Sequence, residues 1–334
     1  MSDQKQVVKD QHFVPEFYLR RFTNGDGFIE RLVLPTAEVL SRPVSPKAEA
    51  NDLFFYGEKT GVEDEISQDV EDFWKSVEDF VAPHLDEVEQ QIVANQQLSS
   101  HDVAIVAHLA AMLWMRTPHF RETLNHNMGN LEKQVRQHHA ADPRYTDHLI
   151  KIAEKTGKKL TQKKAEELRQ FILGGEYNLG YSNVQHLQFM VTNFEGFRNM
   201  FYGAKWRFHL ISGERQFVTS SAPCIEVFPE RRNSFYGPNF YERGHFLPLS
   251  PNILAEAINP FSSGKRIKRK RINDNAVLTY NLQQANWSYI SDAPQYSRCY
   301  ASRKQELEEL VKWRDQNGGH AVLRMVASRV MRGS

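Results

Sequence analysis

The sequence predicts an α+β fold, with an antiparallel or mixed sheet built from the N- and C-terminal segments around a large helical middle region. Three observations carry that prediction. Apolar residues recur every three or four positions through most of residues 61–203. After Gly203 the apolar period drops to two. The first sixty residues mix a short helical pattern with extended runs and turn residues. The reading is one domain over residues 1–334, comprising an N-terminal αβ part (1–60), a helical insertion (61–203) and a β-rich and αβ part (204–334). No internal repeat or low-complexity tract interrupts it.

The segment Gln11-His12-Phe13-Val14-Pro15-Glu16-Phe17-Tyr18-Leu19-Arg20-Arg21-Phe22 comes first. Its aromatics are costly to expose, so it must dock against a core. Pro15 suits the first turn of a helix whose buried side is Phe17, Leu19 and Phe22. Asn24-Gly25-Asp26-Gly27 breaks that helix, and Phe28 to Leu34 reads as a strand ended by Pro35. Asn51 to Tyr56 reads as a short aromatic edge or loop. Ile66, Val70, Phe73, Trp74 and Val77 form the stripe of a helix. Ser99-Ser100-His101-Asp102 caps the next, with Val103, Val106, Leu109, Ala110, Leu113 and Trp114 inward. Thr117-Pro118 opens a third, with Phe120, Leu124, Met128, Leu131 and Val135 as its inner face.

The polar stretch from Asp142 to Lys164 reads as a solvated, mobile helical hairpin, and Gly174-Gly175 as a helix end. Val184, Leu187, Val191, Phe194 and Phe201 outline another long helix. Trp206 to Ile211 and Phe217 to Ser220, joined by Ser212-Gly213-Glu214, read as a β-hairpin. His245 to Pro251 and Ile253 to Ile258 add extended segments. Helices follow at Asn275 to Trp287 and Gln305 to Trp313, with Ser288 to Ser291 extended between them.

Composition excludes more than it selects. Hydrophobic content of 40% and charged content of 25% are ordinary for a globular chain. A net charge of +1 supplies no global attraction to nucleic acid or anionic membrane, so any such affinity is local. No apolar run reaches membrane-span length, and Met1 to Lys5 lack a signal-peptide core. Cys224 and Cys299 fit no metal spacing and read as reduced thiols, so the expected location is cytoplasmic, with no membrane partner. No P-loop, dinucleotide fingerprint or zinc spacing is present; no cofactor and no metal ligand set is assigned.

His12 precedes a helix N-terminus, whose dipole keeps an imidazole neutral and available as base or ligand. Its alternative is a backbone hydrogen bond that holds the N-terminal helix. Arg116 and Arg121 flank the Thr117-Pro118 helix start, where a phosphate or carboxylate would bind. The alternative pairs Arg116 with Glu63, Glu65 or Glu71. Arg121 and His126 also have the spacing used by HEPN ribonucleases, although a solvated helix face is much the better explanation of two fixed letters. Tyr18, Asn51, Thr219 and Ser220 are candidate ligand-binding residues; Ser221 lacks the glycine-flanked elbow of a hydrolase nucleophile. Lys265, Arg266, Lys268, Arg269, Lys270 and Arg271 place six cations in seven residues, a candidate nucleic-acid contact or a solvated strand edge.

His12 to Phe22 resembles the opening motif of the domain of unknown function 4238 family, found mainly in bacteria. Asn51 to Tyr56, Arg116 to Arg121, Phe217 to Pro223, Phe246 to Pro251 and Asn281 to Ser291 resemble its later segments in order. The resemblance implies a shared fold and no established activity. Ser221 and Ala222 stand where the family usually has an acidic residue and a polar amide. The leading expectation is a phosphate-directed, nuclease-like enzyme acting on nucleic acid, in bacterial defence or a toxin-like role. The site would combine His12, Tyr18, Asn51, Arg116, Arg121, Thr219 and Ser220. The alternative is a non-catalytic binding module for an anionic ligand or protein partner. A third reading has these residues only stitch the chain ends together.

Overall fold

The computed structural model describes residues 9–56, 58–59, 66–67, 69–180, 182–227, 244–258, 267–289 and 294–317. Strand β1 (Asp10–His12) leads into helix α1 (Glu16–Leu19), which tightens into a 3₁₀ turn through Phe22. Pro15 sits at the N-cap rather than inside the first turn. Then come β2 (Glu30–Val33), β3 (Glu38–Val39), β4 (Asn51–Leu53), β5 (Glu58–Lys59) and β6 (Ile66–Ser67).

Helices follow in sequence: α2 (Asp69–Val81), α3 (Leu85–Val93), α4 (Ser100–Met115), α5 (Pro118–Ala140), α6 (Tyr145–Lys155), α7 (Gln162–Gly174) and α8 (Asn183–Gly203). Helix α4 starts at a capping box, in which Ser99 Oγ accepts from the Asp102 amide and Asp102 Oδ2 from the Ser99 amide. It is apolar nearly all round and correspondingly enclosed, with α2 and α3 packed on it. Thr117 Oγ1 accepts from the Phe120 amide, as a residue before a first-turn proline should. Gly175 ends α7 in the left-handed conformation, φ 69°, that a side chain would resist.

The remaining elements are β7 (Lys205–Ile211), β8 (Thr219–Ser220), β9 (Ile225–Val227), β10 (Gly244–Ser250), β11 (Ile253–Ile258), β12 (Lys268–Ile272), α9 (Asp274–Trp287), β13 (Arg298–Ala301) and α10 (Lys304–Gln316). They form a five-stranded mixed sheet, β12-β7-β11-β10-β9, and a four-stranded sheet, β3-β2-β13-β8. The smaller sheet joins the chain ends, since Tyr300 of β13 faces Arg31 of β2 on one side and Thr219 of β8 on the other. Its two faces serve different neighbours. Leu32, Cys299 and Ala301 pack with Ala285 of α9 and with Leu307 and Leu310 of α10. On the opposite face Tyr300 and Arg31 both bond Glu49, and Thr219 meets Tyr18.

The α+β class and the sheet built from both chain ends stand as the sequence predicts; three local readings need correction. The segments 206–211 and 217–220 form no hairpin. Both edges of β7 are taken by β11 and β12, and β8 joins the other sheet. Side chains satisfy the intervening backbone: the amides of Gln216 and Val218 donate to Glu306 and Asn281. Ile66 belongs to a strand, and the helix starts only at Asp69. Leu131 and Val135 are 53% and 47% exposed, because α5 turns Leu124, Gly129 and Ala140 inward instead. A Cβ at Gly129 would lie 2.0 Å from the Leu179 carbonyl oxygen. The chain divides into two compact units, 121–186 and the remainder. Within the first of these, α6 packs on α7 and Thr146 donates to Glu166 at 2.9 Å. Ile290 and Ser291, Glu63 to Glu65, and Lys265 and Arg266 lie outside the described residues.

Tyr18 joins the N-terminal segment to both sheets: its hydroxyl donates to Pro248 O at 2.7 Å, leaving Thr219 to donate to it at 2.9 Å. Tyr18→Phe removes the donor from an enclosed carbonyl. It is expected to cost about 1–3 kcal/mol of unfolding free energy in urea denaturation; a change under about 0.5 kcal/mol would contradict this account.

Candidate functional site

The site begins with two short strands. β1 pairs antiparallel with β4, setting His12 opposite Asn51. Both side chains reach one backbone atom, the Lys47 carbonyl oxygen: His12 Nε2 at 3.1 Å and Asn51 Nδ2 at 3.1 Å. The Ala50 carbonyl accepts from the amides of Phe13 and Val14, and the enclosed Gln11 side chain accepts through Oε1 from the Tyr56 amide at 2.5 Å. Ala50 and Phe54, which bracket β4, have φ of 53° and 52°, left-handed values uncommon for residues with a Cβ. Such strain persists where the surroundings fix the chain, here the tilted and edge-to-face rings of Phe13, Phe55 and Tyr296.

Below this ribbon lies a buried charge. Arg116 ends α4 and is 1% exposed. Its Nε donates to the Tyr56 hydroxyl at 3.0 Å, and that hydroxyl donates to the Arg116 carbonyl at 2.9 Å. A terminal nitrogen bonds Glu78 of α2. The guanidinium also lies 5.2 Å from the Tyr56 ring centre and 5.7 Å from that of Trp74. Glu71, Trp74 and Glu78 share one face of α2, at spacings of three and four residues. The partner is therefore Glu78, two helical turns beyond Glu71.

Two polar atoms on that face stand out. Glu71 Oε2 and Trp74 Nε1 are enclosed and have no hydrogen-bond partner among the described residues. Burial raises the Glu71 pKa above the usual carboxyl value, against the pull of Arg116. His12 shifts the other way: burial, then the Arg116 charge, lower its pKa, so the half-buried ring is neutral near pH 7. A neutral ring bonded to a carbonyl must donate from that nitrogen, which makes Nε2 the protonated one. Nδ1 then carries the free lone pair. A base and a carboxyl of raised pKa thus both lie in the field of one guanidinium, an arrangement fit for acid–base work.

The other sequence-predicted residues are placed differently. Tyr18 and Thr219 are enclosed and bonded to each other. Ser220 lies on the α9 face of the small sheet, where its Oγ accepts from Gln284 at 2.5 Å and also lies 2.5 Å from the Ser288 hydroxyl. The expected meeting of His12 with Ser220 is not seen, because alternate residues of a strand face opposite ways. Ser221 is buried; its Oγ accepts from the Arg298 amide at 3.2 Å. Arg121 belongs to the 121–186 unit, where its charge adds to burial in pushing His186 down to about 3. His126 is exposed and lies 3.0 Å from Asn130 on the same helix. Lys268, Arg269, Lys270 and Arg271 lie in the edge strand β12; Arg269 Nε bonds the Ile92 carbonyl at 3.0 Å, closing the end of α3.

Sequence reasoning named Glu71 only as a candidate partner of Arg116, and missed Glu78, Tyr56 and Trp74. The available signal was a glutamate, tryptophan and glutamate on one helix face. Among the described residues no three histidines, cysteines or carboxylates gather as a metal centre. A shallow groove between β3 and α10, about 620 Å³ and lined by Val39, Val311 and Lys312 among others, contains none of the sequence-predicted site residues. No helix of the described residues is long and apolar enough to cross a membrane.

Removing one member of a buried ion pair strands the other. Arg116→Met is expected to lower stability by about 3–5 kcal/mol, and Arg116→Met with Glu78→Gln to restore part of that loss. Equal losses in the single and double variants, measured by chemical denaturation, would show that the pair is not coupled.

No curated protein and no solved structure matches the chain. The family described as protein of unknown function (DUF4238) matches residues 10–296. That span takes in β1, the β4 ribbon, Arg116, the five-stranded sheet and α9, stopping just short of β13, and the chain belongs to the DUF4238 family.

Proposed function

We propose that the chain is a phosphate-directed enzyme acting on nucleic acid by acid–base chemistry, with His12 as proton acceptor and Glu71 as proton donor. The observation that carries this reading is that one buried guanidinium, Arg116, acts on both the pinned, neutral imidazole of His12 and the Glu71 carboxyl, whose pKa burial raises. His12 Nδ1 takes the proton from an attacking hydroxyl or water as the new phosphorus–oxygen bond forms. Glu71 supplies a proton to the leaving oxygen as the old bond breaks. Arg116, held by Glu78 and Tyr56, is a positioning residue whose field favours an anionic substrate.

One arrangement favours the second reading, a non-catalytic module that binds an anionic ligand or partner protein. Arg116 is already neutralised by Glu78, and the hydroxyls of Thr219, Ser220 and Ser221 are all engaged internally. Such a module needs no proton donor.

Cleavage assays on labelled single-stranded RNA and DNA, with and without divalent metal, separate the two. On the enzymatic reading His12→Ala and Glu71→Gln each lower the rate about 10²–10⁴-fold without unfolding the chain. Because the His12 pKa is lowered, its base form is lost only on acidification past the ordinary value of 6.5. The acid limb of the rate should therefore have its midpoint below 6.5. Absence of cleavage by the unaltered chain in every condition favours the binding module; cleavage indifferent to His12→Ala overturns the assignment of the base.

A further inference from the structure

We propose that the half of the five-stranded sheet left open by α9 is a binding face for the phosphodiester backbone of single-stranded nucleic acid. The register fixes which residues share that face. Lys268 lies beside Arg207 and Lys270 beside His209, while Arg207 lies beside Glu256 on its other flank. Lys205, two residues before Arg207, belongs to the same side. At the far end of this side, Ile211, Ile225, Phe246, Leu254 and Ile272 are covered by Val277 and Tyr280 of α9. Among the described residues the cationic end carries no such cover: Lys268 and Lys270 are exposed, and Lys205, Arg207 and His209 are partly so.

Charge on the open end is unbalanced. Four permanent cations, Lys205, Arg207, Lys268 and Lys270, face one carboxylate, Glu256. Glu256 is spent on Arg207 at 2.9 Å and on His209 at 2.7 Å. Lys205, Lys268 and Lys270 have no ion-pair partner among the described residues. Alternate residues along a strand stand about 6.6–6.8 Å apart and neighbouring strands about 4.8 Å, so the cations form a regular two-dimensional array. A chain of evenly spaced phosphates suits that array. A lipid surface would want exposed apolar side chains to insert, and here Ile258, opposite Lys205, is already partly buried. Phe246, opposite Glu256, is partly buried against Tyr280, 5.9 Å between ring centres, so phosphate contacts dominate and binding is insensitive to sequence.

The inference adds a substrate-holding surface to the phosphate-directed reading, yet it stands on different residues, and its test keeps the two apart. Binding is read by fluorescence anisotropy with a labelled oligonucleotide of about 16 nucleotides, the upper site size for one sheet-based single-strand binder. Lys268→Glu with Lys270→Glu is expected to weaken binding roughly tenfold or more. Neutralising two contacts with Lys268→Gln and Lys270→Gln should reduce the log–log salt slope by about 1.4. Lys163→Glu with Lys164→Glu makes the same charge change on exposed positions of the 121–186 unit and should leave affinity intact. His12→Ala should bind as the unaltered chain does, whatever it does to cleavage. Melting curves on the glutamine pair guard against a folding defect. Absence of binding at low salt, equal weakening by the control pair, or binding to phosphatidylserine vesicles in place of oligonucleotide would each overturn the proposal.

Discussion

A full positive charge held away from water is the constraint on which this structure turns. Desolvating the Arg116 guanidinium costs several kcal/mol, and the fold offsets that with a carboxylate, a phenol and two aromatic faces. Each partner comes from a different part of the chain: Glu78 and Trp74 from α2, Tyr56 from the end of the β4 ribbon. Tyr56 is in turn fixed by Gln11, one residue before His12. The N-terminal strand, the ribbon and two helices are therefore held in register by one ion and its neighbours. The same charge sets the electrostatics around it, since it disfavours a proton on His12 and opposes the burial that raises Glu71.

The small sheet completes the assembly from the other direction. Its central strand, β13, comes from the C-terminal part of the chain, and its neighbour β2 from the N-terminal part. One face is greased by Leu32, Cys299, Leu307 and Leu310; the other receives Tyr18 and Glu49 through hydrogen bonds. Arg21 extends the link by bonding the Leu249 carbonyl at 2.8 Å and the acidic residues Asp86 and Glu89 of α3. His12 thus sits on a rigid support, which is what a base needs if its free nitrogen is to point in one direction.

How much of this was legible follows from what each residue announces. Long runs rich in apolar residues pointed to α4 and α8, and Ser99 and Thr117 marked their helices by cap chemistry. The aromatic run of the N-terminal segment announced a docking role, and Tyr18 fulfils it. The four-residue β13 carries too little pattern to be seen alone, and with it went the partner of β8, so a hairpin was read where two sheets diverge. Glu71 and Glu78 were hidden by company: in a run of acidic residues, nothing local tells a buried carboxylate from a solvated one. That distinction is made by Arg116, which lies 38 positions from Glu78. Alternation along β8 likewise sends Thr219 and Ser220 to opposite sides, a fact that only the choice of strand partner fixes.

The central claim concerns the state of one ring, and nitrogen-detected NMR of labelled histidine reads it directly. The account predicts that His12 carries its proton on Nε2 at neutral pH and titrates with a midpoint below 6.5, moving toward the ordinary value in Arg116→Met. A His12 that is protonated on Nδ1, or that titrates at or above 6.5, would contradict it.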